Sequence, residues 1–434
     1  MLPLQLLLTY GGLQSLFEIE FDRSLIHFQT FTRFSYTKFL RKCWLFFMLL
    51  GIGISQPAKA QPRPPLPVDN YQIELRTHYG IHLHHHIEFQ RFNAEFSSFE
   101  LSFQRSTFGR QKWEALYSYP LIGFSFFYSD MGGFKELGNA YALYPFINFP
   151  LNQDLDNRLT FRLGVGLGYL TNKFDPVYNH KNFAIGSHLN AAVSMFFDYR
   201  RTINQRFTFI AAAGLTHFSN GSSKTPNYGL NMVSAAVGLN AFINRPNAYL
   251  KLRFQPVLRP FEYDNKKWFT IELMQSFGTK DMSQQIGGRH YVTNTAVHLM
   301  FPLSLKYKLG LGLETTYNGG DKALLDNKTE KEQPDEPYYT NQLQLFKHGI
   351  SLSYELILSK TSFLFNLGYH NEAGNITNWI AYQKVGIKYL FTDQLFGTIA
   401  LTAHAGRADF IGYGIGYKWD FKYYLHRNKA KLKM

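Results

Sequence analysis

The chain has 434 residues, 45 Lys and Arg against 31 Asp and Glu, a formal net charge of +14, and one Cys. Aromatic residues make up 17% and charged residues only 18%, against about 25% charged in ordinary soluble domains. This composition argues against a string of soluble domains and against disorder, and it rules out a disulfide scaffold or a Cys-ligated zinc site. A mean hydropathy of −0.22 speaks against a helical membrane protein but allows strands in which apolar and polar residues alternate.

In chain order, the first feature is an address. Lys38, Arg41 and Lys42 precede an apolar run from Cys43 to Ile54, and Ala58-Lys59-Ala60 follows. A positive region, a short apolar region and an A-x-A site predict a secretory signal peptide over residues 1–60, cleaved after Ala60. The run is too short for a spanning helix; its alternative is a short buried helix. Residues 1–37 do not fit a signal peptide and read as an over-long start. The sole Cys43 leaves with the signal, which suits an oxidising compartment. Residues 1–60 hold six Lys/Arg and three Asp/Glu, so the remainder carries +11. Gln61 to Asp69, with four prolines, reads as an exposed linker.

From there the pattern has period two. In Leu159 to Tyr169, one face holds Leu159, Phe161, Leu163, Val165, Leu167 and Tyr169, and the other holds Thr160, Arg162, Gly164, Gly166 and Gly168. Ile411 to Phe421 repeats this, with Ile411, Tyr413, Ile415, Tyr417, Trp419 and Phe421 opposite Gly412, Gly414, Gly416, Lys418 and Asp420. Such runs are strands, and their length matches the roughly 9–11 residues a tilted strand needs to cross a bilayer. Bulky apolar groups on one face and glycine or charge on the other suit lipid outside and a lumen inside. Similar segments near 71–90, 97–106, 114–128, 138–150, 184–200, 205–219, 229–244, 268–278, 291–302, 304–317, 345–358, 361–370, 380–392 and 394–405 bring the count to sixteen.

The expectation is an all-β, transmembrane, antiparallel up-and-down barrel of about 14–16 strands over residues 70–425, with a core at 70–245 and an extension at 246–425. One barrel is preferred to two, because two would each need their own closure; a soluble β-sandwich is the other reading. Short turns such as Arg201 to Gln205 would be periplasmic, Asn318 to Pro337 a long extracellular loop, and 426–434 a basic tail.

On the strand from Phe207, the lipid-facing set Phe207, Phe209, Ala211, Ala213 and Leu215 continues in parity to His217 and Ser219. Unpaired polar groups are costly on a lipid face. These two lie about 7 Å apart along the strand, and Asn220-Gly221 then marks a turn. On the return strand Asn231 shares the parity of Val233, Ala235, Val237, Leu239 and Ala241. Parity alone thus gathers Ser219 as a nucleophile, His217 as a base and Asn231 as an orienter on one outer surface, a site reached from lipid. An interfacial girdle of polar residues is the plainer reading of the same three. Phe207, Phe209, Val233 and Val237 would seat an acyl chain.

The stretch His217-Phe218-Ser219-Asn220-Gly221 with Pro226-Asn227-Tyr228-Gly229-Leu230-Asn231 resembles the outer-membrane lipid A 3-O-deacylase (acyloxyacyl hydrolase) family, as do Asn182 to Asn190 and Ala408 to Tyr417. The resemblance covers about residues 70–245 and, more loosely, the rest, as in a long variant. It implies an exterior active site near the outer leaflet, His217 and Ser219 as catalytic residues, and Asn220, with the backbone of Gly221, as the oxyanion hole. The family's third residue is a Glu, and Asn231 stands there. A His, Ser and Asn set also resembles outer-membrane phospholipase A, which uses calcium; Asn227 could supply an oxygen to that ion, and otherwise no cofactor or metal is expected. Ser187, which has outer-face parity, and Asn227 are candidate site-lining residues.

The expected function is hydrolysis of an acyl ester of lipid A, with phospholipase A or a non-catalytic porin or transport barrel as alternatives. The expected partners are lipid A (lipopolysaccharide) or phospholipid and the outer membrane of a Gram-negative bacterium, with no nucleic acid; the oligomeric state is left open. His82, His84 and His86 share a strand face and suit a hydrated lumen better than a metal site. His188 and Asn190 are expected in the lumen, and His404 and Asp409 read as structural.

Overall fold

The structure, a computed structural model, describes residues 71–83, 91–92, 94–107, 111–243, 266–333, 338–371 and 381–424. The expected signal peptide, proline-rich linker and basic tail lie outside these residues. The first eight strands are β1 (Tyr71–His82), β2 (Glu95–Ser106), β3 (Leu121–Ser129), β4 (Ala140–Pro150), β5 (Asn157–Leu170), β6 (Leu189–Thr202), β7 (Phe207–Ser219) and β8 (Leu230–Phe242). The second eight are β9 (Lys266–Asp281), β10 (Arg289–Pro302), β11 (Tyr307–Asn318), β12 (Phe346–Leu358), β13 (Thr361–His370), β14 (Ala381–Leu390), β15 (Leu395–His404) and β16 (Arg407–Tyr424). Every neighbouring pair is antiparallel, and among the described residues no helix is long and apolar enough to cross a membrane.

The strands close twice. β8 returns to β1 in register from Gln72↔Phe242 to His82↔Met232, and β16 pairs with β9 from Ile411↔Thr279 to Tyr424↔Lys266. The single barrel expected over 70–425 is therefore corrected to two barrels of eight strands, barrel 1 and barrel 2. The physical reason lies inside them. Eight strands enclose a space that their own side chains can fill, and each half of the chain carries charges that pair within its own lumen. In barrel 1, Glu74 receives Arg76 at 2.6 Å, Arg162 at 2.9 Å and Arg200 at 2.6 Å. Asp198 binds both terminal nitrogens of Arg76 at 3.0 and 2.6 Å, and Arg162 also holds Glu100. In barrel 2, Lys388 joins Glu272 at 2.9 Å to Glu355 at 2.8 Å, and Lys384 pairs with Glu314. Charges this buried persist only when paired and hydrogen-bonded.

The alternation reads as expected. Ile73, Leu75, Tyr79 and Ile81 are exposed, while Glu74, Arg76, His78 and His82 between them are buried. Barrel 1 has short turns at one end and long loops at the other, where an apolar cluster of Phe96, Phe127, Met131, Tyr144, Phe218 and Met232 fills the lumen. A short helix, α1 (Lys112–Leu116), lies in the β2–β3 connection at the short-turn end. The expected loop at 318–337 instead holds a helix, α2 (Gly319–Glu332), started by Asn318, whose side chain accepts from Gly320 N at 3.0 Å. The helix buries only Gly320, Asp321 and Leu325, so its sequence shows no apolar stripe.

The barrels touch at both ends. At the short-turn end the Tyr117 hydroxyl bonds to the carbonyl oxygens of Lys306 at 3.1 Å and Ile357 at 3.0 Å, and its ring packs on Phe149. Ile147, Phe149 and Phe161 of barrel 1 and Tyr354 and Leu356 of barrel 2 have lipid-face parity yet are buried there. At the long-loop end the contact runs through the β7–β8 loop.

Candidate active site

β7 brings His217 and Ser219 to the outer wall because its inward residues, Thr216 and Phe218, are fully buried. Phe218 is the anchor: it packs on Phe127 in the lumen cluster and fixes the strand's rotation between the two polar residues. In the β7–β8 register His217 stands directly opposite Asn231. Such cross-strand neighbours lie about 5 Å apart, and here the side chains meet, His217 Nδ1 to Asn231 Oδ1 at 2.6 Å. An amide oxygen can only accept, so this bond places the imidazole proton on Nδ1 and makes Nε2 the lone-pair nitrogen.

Ser219 ends β7 opposite Ala191 of β6 and is covered by the following loop, at 8% exposure. Its hydroxyl receives Asn227 Nδ2 at 2.9 Å and the Gly221 N–H at 3.2 Å, and it donates to Asn227 Oδ1 at 3.3 Å. Asn220 is buried and braces the turn. Its N–H donates to Asn227 Oδ1 at 3.0 Å, and its side-chain amide donates to Ser187 Oγ at 2.8 Å and to the Lys224 carbonyl at 2.8 Å. Two glycines are required here. Gly221 has φ +61°, and a Cβ on it would lie 2.3 Å from Ile411 Cγ1 of barrel 2. Gly229 has φ +77°, with its Cβ position 2.9 Å from His217 Cε1.

The structure thus brings together His217, Ser219, Asn231, Asn220, Gly221, Ser187 and Asn227. Asn227, expected to line the site and considered for calcium, has its oxygen on the Asn220 N–H and its nitrogen on the Ser219 hydroxyl. Phe207, Phe209, Val233 and Val237 are exposed on the outer wall below the site. Asn190 is buried, held by the carbonyls of Ser187 and His188. His188 is not in the lumen. It stacks on Tyr169, which is exposed on the outer wall, because its Nδ1 bonds the Leu170 carbonyl at 2.8 Å. His82 is buried with Nε2 3.2 Å from the Met131 carbonyl oxygen, while His84 and His86 lie outside the described residues. His404 and Asp409 face each other at 3.4 Å, and Asp409 also pairs with Lys280.

Two family profiles match, one on each barrel. Lipid A 3-O-deacylase (PagL) matches residues 97–240, and the C-terminal domain of acyloxyacyl hydrolase matches residues 269–423. The chain belongs to the lipid A 3-O-deacylase family. It is a long member, and its deacylase-matched part carries the His217, Ser219 and Asn231 cluster. No curated protein matches the sequence. Solved structures similar to the chain include the KdgM porin, at 6% identity over 81% of this chain and 99% of that one, with a TM-score of 0.16. A triple mutant of the Rhodopseudomonas blastica porin shows 8% identity over 82% and 100%, with a TM-score of 0.15. Pseudomonas aeruginosa OccK11 (OpdR) shows 10% identity over 82% and 96%, with a TM-score of 0.16. Scores this low carry no argument about architecture or activity.

Proposed function

We propose that the protein is a serine esterase of the outer membrane that removes an ester-linked acyl chain from lipid A, working on the outer wall of barrel 1 in the outer leaflet. The observation that carries this reading is the 2.6 Å bond between His217 and Asn231 on the same outward face as Ser219, within the segment that matches the lipid A 3-O-deacylase profile. A site on that face meets lipid, and the exposed Phe207, Phe209, Val233 and Val237 below it give an acyl chain an apolar path.

In the reaction, Ser219 Oγ leaves Asn227 and turns toward His217, whose Nε2 takes its proton as Oγ attacks the ester carbonyl. Asn231 keeps the proton on Nδ1 throughout, so the base is always Nε2. The oxyanion forms among the donors now gathered on Oγ, the Gly221 N–H and the Asn227 amide, each worth about 3–4 kcal/mol if it acts as such donors do elsewhere. Asn220 joins them by giving up one of its two side-chain bonds. The sugar alkoxide leaves with the proton from His217. Water, activated by the same nitrogen, then frees the fatty acid from Ser219.

The test is mass spectrometry of lipid A and phospholipids from Gram-negative cells producing the wild type or Ser219→Ala. Loss of one acyl chain from lipid A with wild type, and intact lipid A with a folded Ser219→Ala, supports the reading; deacylation by the variant ends it. One observation favours a second reading, phospholipase A: the third position is an amide. Its outcome would be lysophospholipid with unchanged lipid A, and activity lost in EDTA. For the lipid A reading, hydrolysis continues in EDTA.

A further inference from the structure

The loop that surrounds Ser219 is held by the other barrel. Asp281, at the end of β9 and 3% exposed, takes three hydrogen bonds on Oδ2: from Thr225 N at 2.7 Å, Thr225 Oγ1 at 3.1 Å and Ser283 Oγ at 2.8 Å. Its own N–H donates to the Ser222 carbonyl at 2.9 Å. Ser222 Oγ donates to the Ala408 carbonyl at 2.7 Å, next to Asp409 at the start of β16. Lys224 Nζ lies 3.6 Å from Asp281 Oδ2, and Gly221 is pressed against Ile411.

These contacts lead back to the nucleophile in three steps. The Lys224 carbonyl accepts from the Asn220 side chain, the Asn220 N–H donates to the Asn227 oxygen, and the Asn227 nitrogen donates to Ser219 Oγ. The loop between Ser219 and Gly229 is held from two sides: barrel 1 takes the Tyr228 and Gly229 N–H groups on the Phe183 and Ala184 carbonyls and the Asn220 side chain on Ser187, while the 222–225 segment is framed by barrel 2.

We propose that Asp281 is a positioning residue for the esterase site: barrel 2 fixes the β7–β8 loop through Asp281, and so places Asn220, Gly221 and Asn227 around the serine. This rests on the functional reading above. Asp281 touches neither substrate nor reacting atoms, so it acts on the rate through geometry. A carboxylate suits the task because it only accepts, and one oxygen can gather both donors of Thr225.

The experiment uses the full chain in detergent micelles, with purified lipid A as substrate and a fluorophosphonate probe that labels an activated serine. The variants are Asp281→Ala, Asp281→Asn, Thr225→Val and the double Asp281→Ala/Thr225→Val. Displacement of catalytic groups by about 1 Å can cost on the order of a hundredfold, so Asp281→Ala should lower kcat by about tenfold or more, with KM within about threefold, and slow fluorophosphonate labelling in step. Asp281→Asn keeps an accepting oxygen and should recover most of the rate. The double variant should be no slower than Asp281→Ala, because both changes cut one connection.

Wild-type kcat in Asp281→Ala, a loss confined to KM, or multiplied effects in the double variant would overturn the proposal. If Asp281→Ala does not fold, Thr225→Val alone reads the same connection: a slowed kcat supports it and a wild-type kcat overturns it. A wild type that neither hydrolyses lipid A nor takes the probe strikes at the functional reading instead, so the two failures are told apart by the wild-type arm.

Discussion

Asn231 is where this chain departs from the Glu of the family it resembles, and the geometry turns that departure into a measurable quantity. Replacing Asn231 with Ala removes the 2.6 Å bond to His217 Nδ1 and leaves a half-buried N–H without that acceptor. Losing the partner of a buried donor costs about 1–3 kcal/mol, which in the rate is roughly fivefold to a hundred-and-fiftyfold. Replacing it with Asp keeps the strand register and the reach, and puts a negative charge beside an imidazole that becomes cationic only in the transition state. A charge-assisted bond is about twice as strong as a neutral one, so about 1 kcal/mol more stabilisation, or roughly a fivefold rise in kcat, is expected for Asn231→Asp. The assay is release of fatty acid from purified lipid A under saturating substrate, with folding checked by the heat-dependent gel shift of each barrel. The order Asp above Asn above Ala in kcat is the expected result. Equal rates for all three, with folded protein, would refute the idea that residue 231 orients the histidine.

Other outcomes follow from other contacts. Gly229→Ala adds a Cβ 2.9 Å from His217 Cε1 at a φ of +77°, so the imidazole must move and the backbone is strained; kcat should fall by about tenfold or more, with a stability loss of about 1–2 kcal/mol. Arg162→Met leaves Glu74 and Glu100 short of a cation in the lumen of barrel 1 and should lower stability to denaturant by about 3–5 kcal/mol; a loss under about 1 kcal/mol would mean the other arginines suffice. Tyr117→Phe removes the bonds to Lys306 and Ile357 and should cost about 1 kcal/mol without changing kcat. Burial, with Tyr354 nearby, pushes the Tyr117 phenol above its ordinary range. Its contribution is therefore full below about pH 10 and is lost as pH rises beyond it, where the unfolded chain ionises and the folded phenol does not. Thermal midpoints measured between pH 8 and about pH 11 should fall at the alkaline end in the wild type more than in Tyr117→Phe.

Much of this was legible in the residues, because period-two alternation is a local signal. It located all sixteen strands of the described residues, and the parity of His217, Ser219 and Asn231 placed them on one outer surface before any register was known. Closure was not legible. The alternation of Leu159 to Tyr169 and that of Ile411 to Phe421 are the same pattern, and nothing in them says that β8 will return to β1 while β16 goes to β9. That choice depends on which lumen charges find partners, Arg162 with Glu74 or Lys388 with Glu272, a long-range fact. Nor could Asp281 be read as part of the site, since it lies 62 positions from Ser219, on a strand that looks like any other. The helix at Gly319–Glu332 hid for the opposite reason: its residues are polar on nearly every side.

The salt bridges that fill both barrels have a consequence for the cell. A lumen crossed by Arg76, Arg162 and Arg200 clasping Glu74 and Asp198, or by Lys388 clasping Glu272 and Glu355, should resist the passage of an ion or an antibiotic. An enzyme so constructed can be made in quantity without breaching the permeability barrier whose lipids it remodels. Its electrical signature in a planar bilayer should be silence.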